Sequence, residues 1–330
     1  MSDIDVLGIG NAIVDILAKT DDETLNRLDL PKGHMQLISS EEADRLYDAM
    51  GPATEKSGGS AANSCAGLAA FGGSAHFIGV VNDDQFGQVF AHDLNAIGVH
   101  YNTAPVSGDS STARCLVMVT PDGERTMSTY LGASVELGAD EIDEELVKTA
   151  KITYLEGYLF DPPQAKEAFY KAAEIAQGAG RRVALSLSDA FCVERHRDDF
   201  LKFIKSKVDV LFANEEEIKA LFQVDDFTTA ADLIRHEVEL AALTQGAKGS
   251  MIIHGNISAA SPAFDVSEVV DTTGAGDLYA AGFLYGLTHM APLDVCGSLG
   301  ALAASEVISH MGARPEADLV KLANQHNLLY

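Results

Sequence analysis

The chain has 330 residues, 47% of them apolar and 22% charged, a composition that fits a folded globular protein and excludes a disordered polar chain. No stretch reaches the roughly 18–20 uninterrupted apolar residues of a membrane helix. Forty-nine acidic against 23 basic residues give a formal charge of −26. That charge repels nucleic-acid phosphates and anionic lipid, so neither is an expected partner.

The opening run MSDIDVLGIGN is acidic and passes at once into a strand, Val6–Gly10, without the basic-then-apolar order of a secretion signal. A cytoplasmic protein is the expectation. Four scattered cysteines, Cys65, Cys115, Cys192 and Cys296, form no CxxC pair and are expected as reduced packing residues. From about residue 60 helical and extended segments alternate: AANSCAGLAAFG helical, AHFIGVV extended, FGQVFAHDLNAIG helical, then a hairpin in TARCLVMVTPDGERTMSTY turning at Pro121-Asp122-Gly123. The second half alternates more strictly. ITYLEGYLF, RRVALSLS, VDVLFAN and LAALTQG read as strands, separated by helices such as PPQAKEAFYKAAEIAQGAG, and two long helices follow from Gly276 and Pro292.

This rhythm predicts an α/β fold with a mostly parallel central sheet covered by helices on both faces. Hairpin-like material in residues 12–40 and 104–131 breaks it and predicts a small β-lid inserted into a single domain spanning 1–330.

The stretch DTTGAGDLYAAGF, 271–283, sets Gly274, Ala275 and Gly276 directly before Asp277 at a helix start. Side chains this small let successive N–H groups converge, and the helix adds its positive end, so the turn reads as an anion hole. Asp277 then reads either as a general base beside the bound anion or as an ordinary capping carboxylate.

The wider run Asp271-Thr272-Thr273-Gly274-Ala275-Gly276-Asp277 resembles the carboxy-terminal signature of the ribokinase-like, or PfkB, carbohydrate kinases. Gly58-Gly59-Ser60-Ala61-Ala62-Asn63 with Gly72-Gly73 resembles their amino-terminal mark, Asn214-Glu215-Glu216-Glu217 their NxxE motif, and Thr244-Gln245-Gly246 through Gly249 their TxGxxG nucleotide loop. The resemblance spans nearly the whole chain. It implies a three-layer ribokinase-like α/β/α core with a lid over the acceptor, and transfer of the γ-phosphoryl group of ATP to an alcohol. By it Asp277 is the base, and the amides of Gly274, Ala275 and Gly276 stabilise the migrating phosphoryl group. Asn214 and Glu217 hold Mg²⁺ through water, and Thr244, Gly246 and Gly249 line the ATP side. Asp271 and Thr273 match a stretch where family members often hold a monovalent cation such as K⁺.

For the acceptor, Gly10-Asn11 followed by Asp15 has the G-N-x-x-x-D spacing of adenosine kinases. That resemblance assigns Asn11 and Asp15 to ribose hydroxyls, with Gly59 and Asn63 completing the sugar contacts. Tyr158 and Phe160 fall where such kinases stack the base, Leu37, Leu116 and Met118 offer an opposite wall, and Arg125 in the lid hairpin is a residue to reach over the phosphates. The alternative for each aromatic is core packing, for Leu37, Leu116 and Met118 packing of the lid alone, and for Arg125 a solvated strand position. Two features resemble sugar kinases instead: Thr273, where adenosine kinases commonly have asparagine, and the apolar Ala301-Leu302-Ala303-Ala304. The expectation is therefore a nucleoside kinase, adenosine first, with a ribokinase- or fructokinase-like sugar kinase as the alternative and a silent nucleoside or sugar sensor as a further one. A monomer and a homodimer are equally compatible with the sequence.

Other motifs carry less. GIGNAI has Ile13 where a dinucleotide fingerprint needs glycine, His196-Arg197-Asp198 lacks the rest of a protein-kinase loop, and the ten histidines show no metal spacing.

Overall fold

The structure is a computed structural model that describes residues 4–329; Met1–Asp3 of the acidic opening run lie outside the described residues. Along the chain come β1 (Ile4–Ile9), β2 (Ile13–Lys19), α1 (Asp22–Leu28), β3 (Met35–Leu37), α2 (Ser40–Ala49), β4 (Ala53–Gly58), α3 (Ser60–Ala70), β5 (Ala75–Ile78), α4 (Gln85–Ala96) and β6 (Val99–Tyr101). Next are β7 (Ala113–Val119), β8 (Arg125–Tyr130), α5 (Glu144–Thr149), β9 (Ala150–Glu156), α6 (Pro163–Gly178), β10 (Arg182–Ser186), α7 (Ala190–Lys207), β11 (Val210–Asn214), α8 (Glu215–Phe222) and α9 (Phe227–Ile234). The chain closes with β12 (Leu240–Thr244), β13 (Ser250–His254), β14 (Ile257–Ser261), α10 (Ala275–Thr288), α11 (Leu293–Val307) and α12 (Leu319–Gln325).

Nine strands form the main sheet in the order β14-β13-β12-β11-β10-β9-β1-β5-β6, parallel from β12 to β6. Every residue of β1 is buried, as a central strand covered on both faces requires. One face packs on α6, α7 and α8 through residues such as Phe169, Phe200 and Leu221, the other on α3, α4 and α10 through Phe77, Phe90 and Phe283. Each helix follows from its own sequence: α6 starts with proline in its first turn, and α7 is capped by the Asp189 carboxylate accepting from Phe191 N and Cys192 N. The chain winds from β1 outward to β5 and β6, then returns to β9 on the other side. The crevice between the carboxyl ends of β1 and β9 is thus a topological switch point, where open α/β sheets bind ligands.

A second, five-stranded sheet, ordered β3-β8-β7-β2-β4, stands where the sequence predicts a lid. It takes in the two stretches read from the sequence and adds β4, whose polar run ATEKSG does not look like a strand until it pairs antiparallel with β2. Alternation assigns its faces. Asp15, registered with Cys115 and through it with Thr129, shares one face with Leu17, Val117, Met127 and Met35. Leu116 and Met118 point to the other face and are buried, which favours the packing alternative over the acceptor wall for these two. Strand β9 also stops at Glu156, earlier than its apolar run suggests, and Gly157–Phe160 forms a 3-10 turn.

All four cysteines are free, and burial pushes each thiol up to about 12, which suits packing and not nucleophilic work. No helix among the described residues is long and apolar enough to cross a membrane.

Candidate active site

The site lies at the carboxyl ends of the parallel strands, where the amino termini of α3 and α10 meet. Gly274 caps α10 in the left-handed conformation (φ 78°) without a side-chain bond, because the backbone and Cβ of Ala313 leave no room for a Cβ there. Asp277 is not a capping residue. Its carboxylate reaches across to α3, where Ser60 Oγ donates to Oδ1 at 2.6 Å and Asn63 Nδ2 donates to Oδ2 at 3.0 Å. Burial pushes this carboxyl above its ordinary range, against the opposing bonds from Ser60 and Asn63 and the charge of Arg314. A carboxylate held this way is more basic than a solvated one, as a general base needs. The Ala275 N–H donates to the Thr272 carbonyl at 3.2 Å, so of the three turn amides this one is spent within the turn.

One cleft brings Asp277, Gly276 and Ser60 together with Asn214, Glu217 and Thr244. Asn214, at the end of β11, and Glu217 form a capping box: Asn214 Oδ1 accepts from Glu217 N at 2.9 Å, and Asn214 N and Nδ2 donate to the Glu217 carboxylate at 2.9 and 2.6 Å. Burial pushes Glu217 up to about 7. One buried carboxylate beside an amide oxygen suits an octahedral cation that keeps most of its water, and among the described residues no group of three acidic, histidine or cysteine side chains offers a tighter cage. Of the run Glu215-Glu216-Glu217 only Glu217 is turned inward.

Thr244 lines the same cleft, and Gly246 and Gly249 flank the 3-10 turn beyond it. Gly249 has φ 90° with the backbone of Ser261–Ala263 packed against its Cα, so it is required by the turn itself, whereas Gly246 faces open space.

Arg125 is not placed over the anion turn. It leaves β8 of the lid, and its Nη1 donates at 2.5 Å both to Asp271 Oδ2 and to Thr273 Oγ1; the two side chains of the ion pair are only 10% and 3% exposed. Asp271 accepts further from Thr273 N at 2.9 Å and Gly312 N at 2.8 Å. The Asp271 carboxylate and the Thr273 hydroxyl are thus engaged by a guanidinium, which places a positive charge where the sequence suggested a monovalent cation.

At the switch point Asn11 Nδ2 donates to Glu156 Oε1 at 2.7 Å, while Asn11 Oδ1 is buried with no partner. Glu156 also accepts from Ala61 N at 2.8 Å, in the first turn of α3. It is 1% exposed and forms no ion pair among the described residues, and burial pushes it up to about 7. Gly59 (φ 95°) packs on the Asn11 carbonyl, where a Cβ would collide. Among the described residues no group donates to the Asp15 carboxylate; burial pushes it up to about 6, opposed by Arg314 and Arg125.

Phe160 is withdrawn from the site. It is 1% exposed and stacks on Phe200 with ring centroids 4.0 Å apart, because the 3-10 turn after Glu156 rotates it into the core. The expected base-stacking role is thereby corrected to core packing. Tyr158 lies half-buried on the same turn, and burial, with the charges of Asp189, Glu156, Asp277 and Glu217 adding to it, pushes its phenol up.

Three site residues escaped the sequence reading: Ser60, Glu156 and Arg314. Ser60 lay in a noted motif as a mere small residue. Glu156 had one signal, a lone carboxylate ending an apolar strand. Arg314, whose Nε donates to Asn63 Oδ1 at 2.7 Å, had none.

Residues 34–318 match the model of the pfkB family of carbohydrate kinases. The chain belongs to this family. Members transfer phosphate from ATP to a sugar or nucleoside alcohol, and this protein is such a kinase. A probable sugar kinase from Rhizobium etli superimposes with a TM-score of 0.93 at 48% identity, covering 100% of both chains. An adenosine kinase from Sinorhizobium meliloti gives 0.91 at 49% identity, covering 98% of this chain and 100% of that one. An ATP-dependent ribose-1-phosphate kinase from Halopiger xanaduensis is 31% identical over 306 residues, 88% of this chain and 96% of the relative.

Proposed function

We propose that this PfkB kinase phosphorylates the primary hydroxyl of a ribose-containing acceptor, a nucleoside and adenosine first. The carrying observation is the lid face that looks onto the site. Asp15 stands in one cross-strand row with Lys56, Cys115, Thr129 and Leu37, and the next row, Leu17, Val117, Met127 and Met35, is apolar up to Thr54 on the edge strand β4. Such a surface suits the face of a nucleobase beside a hydroxyl-binding carboxylate, whereas a bare sugar has no apolar face of that width to cover. The orphaned Asn11 Oδ1 and the unpaired Asp15 carboxylate are acceptors awaiting donors, as ribose hydroxyls are. Similarity to the Sinorhizobium adenosine kinase supports the same reading.

In this reading Asp277 takes the proton of the attacking hydroxyl, and the Gly274 and Gly276 amides meet the charge on the transferring phosphoryl group. Mg²⁺, when bound near Glu217 and Asn214 through water, neutralises phosphate charge that a protein of net −26 would otherwise repel. Tyr158 is retained on the acceptor side, and Thr244 and Gly246 on the nucleotide side.

A sugar acceptor is the second reading, favoured by the withdrawal of Phe160, which removes the expected stacking ring. A coupled ADP-release assay over nucleosides and free sugars, paired with a thermal-shift panel, separates the two. Turnover and stabilisation with adenosine and none with sugars supports the nucleoside; the reverse pattern overturns it. Asp277→Asn is expected to retain ATP binding and to lose about 10²–10⁴ in turnover. Unchanged turnover would remove Asp277 as base.

A further inference from the structure

We propose that Arg314, in the loop after α11, is a positioning residue that sets the general base by fixing the amide of Asn63. The inference rests on Asp277 as base and adds to it the means by which the base is aimed.

Asn63 sits between two charged groups of opposite sign. Arginine has only donors, so the amide must turn its oxygen toward Arg314 Nε, 2.7 Å away. Its NH₂ is then left pointing at Asp277 Oδ2, 3.0 Å away. Without the guanidinium the two amide orientations are no longer distinguished from that side, and the flipped one sets an oxygen against a buried carboxylate. The carboxylate and the guanidinium hold the amide in the same orientation from opposite sides, and losing the guanidinium leaves the bond to the base held from one side only.

Arg314 is itself aimed from the lid. Its Nη2 donates to the Ser57 carbonyl at 2.9 Å and to Ser57 Oγ at 3.1 Å, at the end of β4. Ser57 is pinned in turn to α4, its N and Oγ donating to Asp93 Oδ2 at 2.8 and 2.6 Å. A continuous path therefore runs from Asp93 through Ser57, Arg314 and Asn63 to Asp277, and the seat of lid strand β4 and the aim of the base share one side chain. Arg314 Nη1 is buried without a partner, a cost that simple structural packing gives no reason to retain. Lysine has a single head and cannot span Asn63 and Ser57 as the planar fork does.

The test is a mutant cycle on the full-length enzyme, with the acceptor that turns over best in the ADP-release panel. Arg314→Met and Asn63→Ala are each expected to lower kcat by about 10- to 100-fold, a part of what a general base is worth, with KM for ATP within about twofold of wild type. Because the two act in series, the double variant falls no further than Asn63→Ala, and Arg314→Met adds no loss in an Asp277→Asn background. Should Arg314→Met fail to fold, Arg314→Lys keeps the charge and carries the same expectation. A kcat within twofold of wild type for the folded Arg314 variant, or a double variant losing the product of the single losses, overturns the relay while Asp277→Asn still shows its own loss. If Asp277→Asn is as active as wild type, the assignment of the base falls and the relay with it.

Discussion

Arg125→Met removes the charge that ties the lid to the loop before the anion turn while keeping much of the side-chain volume. Burial works against the Asp271 carboxylate; the bonds from Gly312 and Thr273 and the Arg125 charge overcome it and hold the group below the ordinary carboxylate range. Removing one partner of a buried pair costs about 3–5 kcal/mol, since the remaining charge stays buried. Asp271 keeps two backbone donors, at 2.8 and 2.9 Å, so the lower end, about 3 kcal/mol, is the better figure. That energy is lost from the arrangement in which lid and core touch. If the acceptor binds under the seated lid, KM for the acceptor rises by roughly 10²-fold, at a factor of ten per 1.4 kcal/mol, once the seated state has become the minor one. Steady-state kinetics with acceptor and ATP varied separately, alongside thermal unfolding, read this directly. A loss confined to kcat, with acceptor KM and melting temperature both unchanged, would refute the latch and return Arg125 to the phosphates.

Phe160→Ala is expected to cost about 3–5 kcal/mol through the cavity left beside Phe200 and Phe169, with the ranking of acceptors unaltered; a changed nucleoside preference in a still-folded variant would contradict core packing. Glu156 is held at about 7 in the fold against an ordinary 4.5, so the folded chain keeps this proton longer than the unfolded one. Its contribution to stability is complete below the ordinary value and is lost as pH rises toward 7, on the order of 3 kcal/mol if the shift is taken whole. Glu156→Gln should flatten that part of a melting-temperature profile between pH 5 and 8, and an unchanged profile would count against it. Gly282→Ala places a methyl against the Leu299 carbonyl and Gly300 amide of α11, and is expected to lower the melting temperature by about 2–6 °C by forcing the two long helices apart.

Much of this protein is written locally. The strand–helix alternation, the glycine turn and its carboxylate, and the NxxE pair at the end of β11 are contiguous, because each depends on backbone geometry over a few residues, and a chain states such geometry in neighbouring letters. The inserted lid was legible for a similar reason, from the break in rhythm, although β4 was not: a polar run on a sheet edge has no apolar alternation to betray it. What only tertiary structure decided is the company each side chain keeps. Phe160 looks like a ligand residue until the turn after Glu156 carries it into the core, and Arg125 looks like a phosphate ligand until Asp271 captures it. Ser60, Glu156 and Arg314 reach Asp277, Asn11 and Asn63 from 217, 145 and 251 residues away along the chain. A charge buried at such separation is satisfied by whatever the fold brings to it, and no short-range pattern in the sequence encodes that partner.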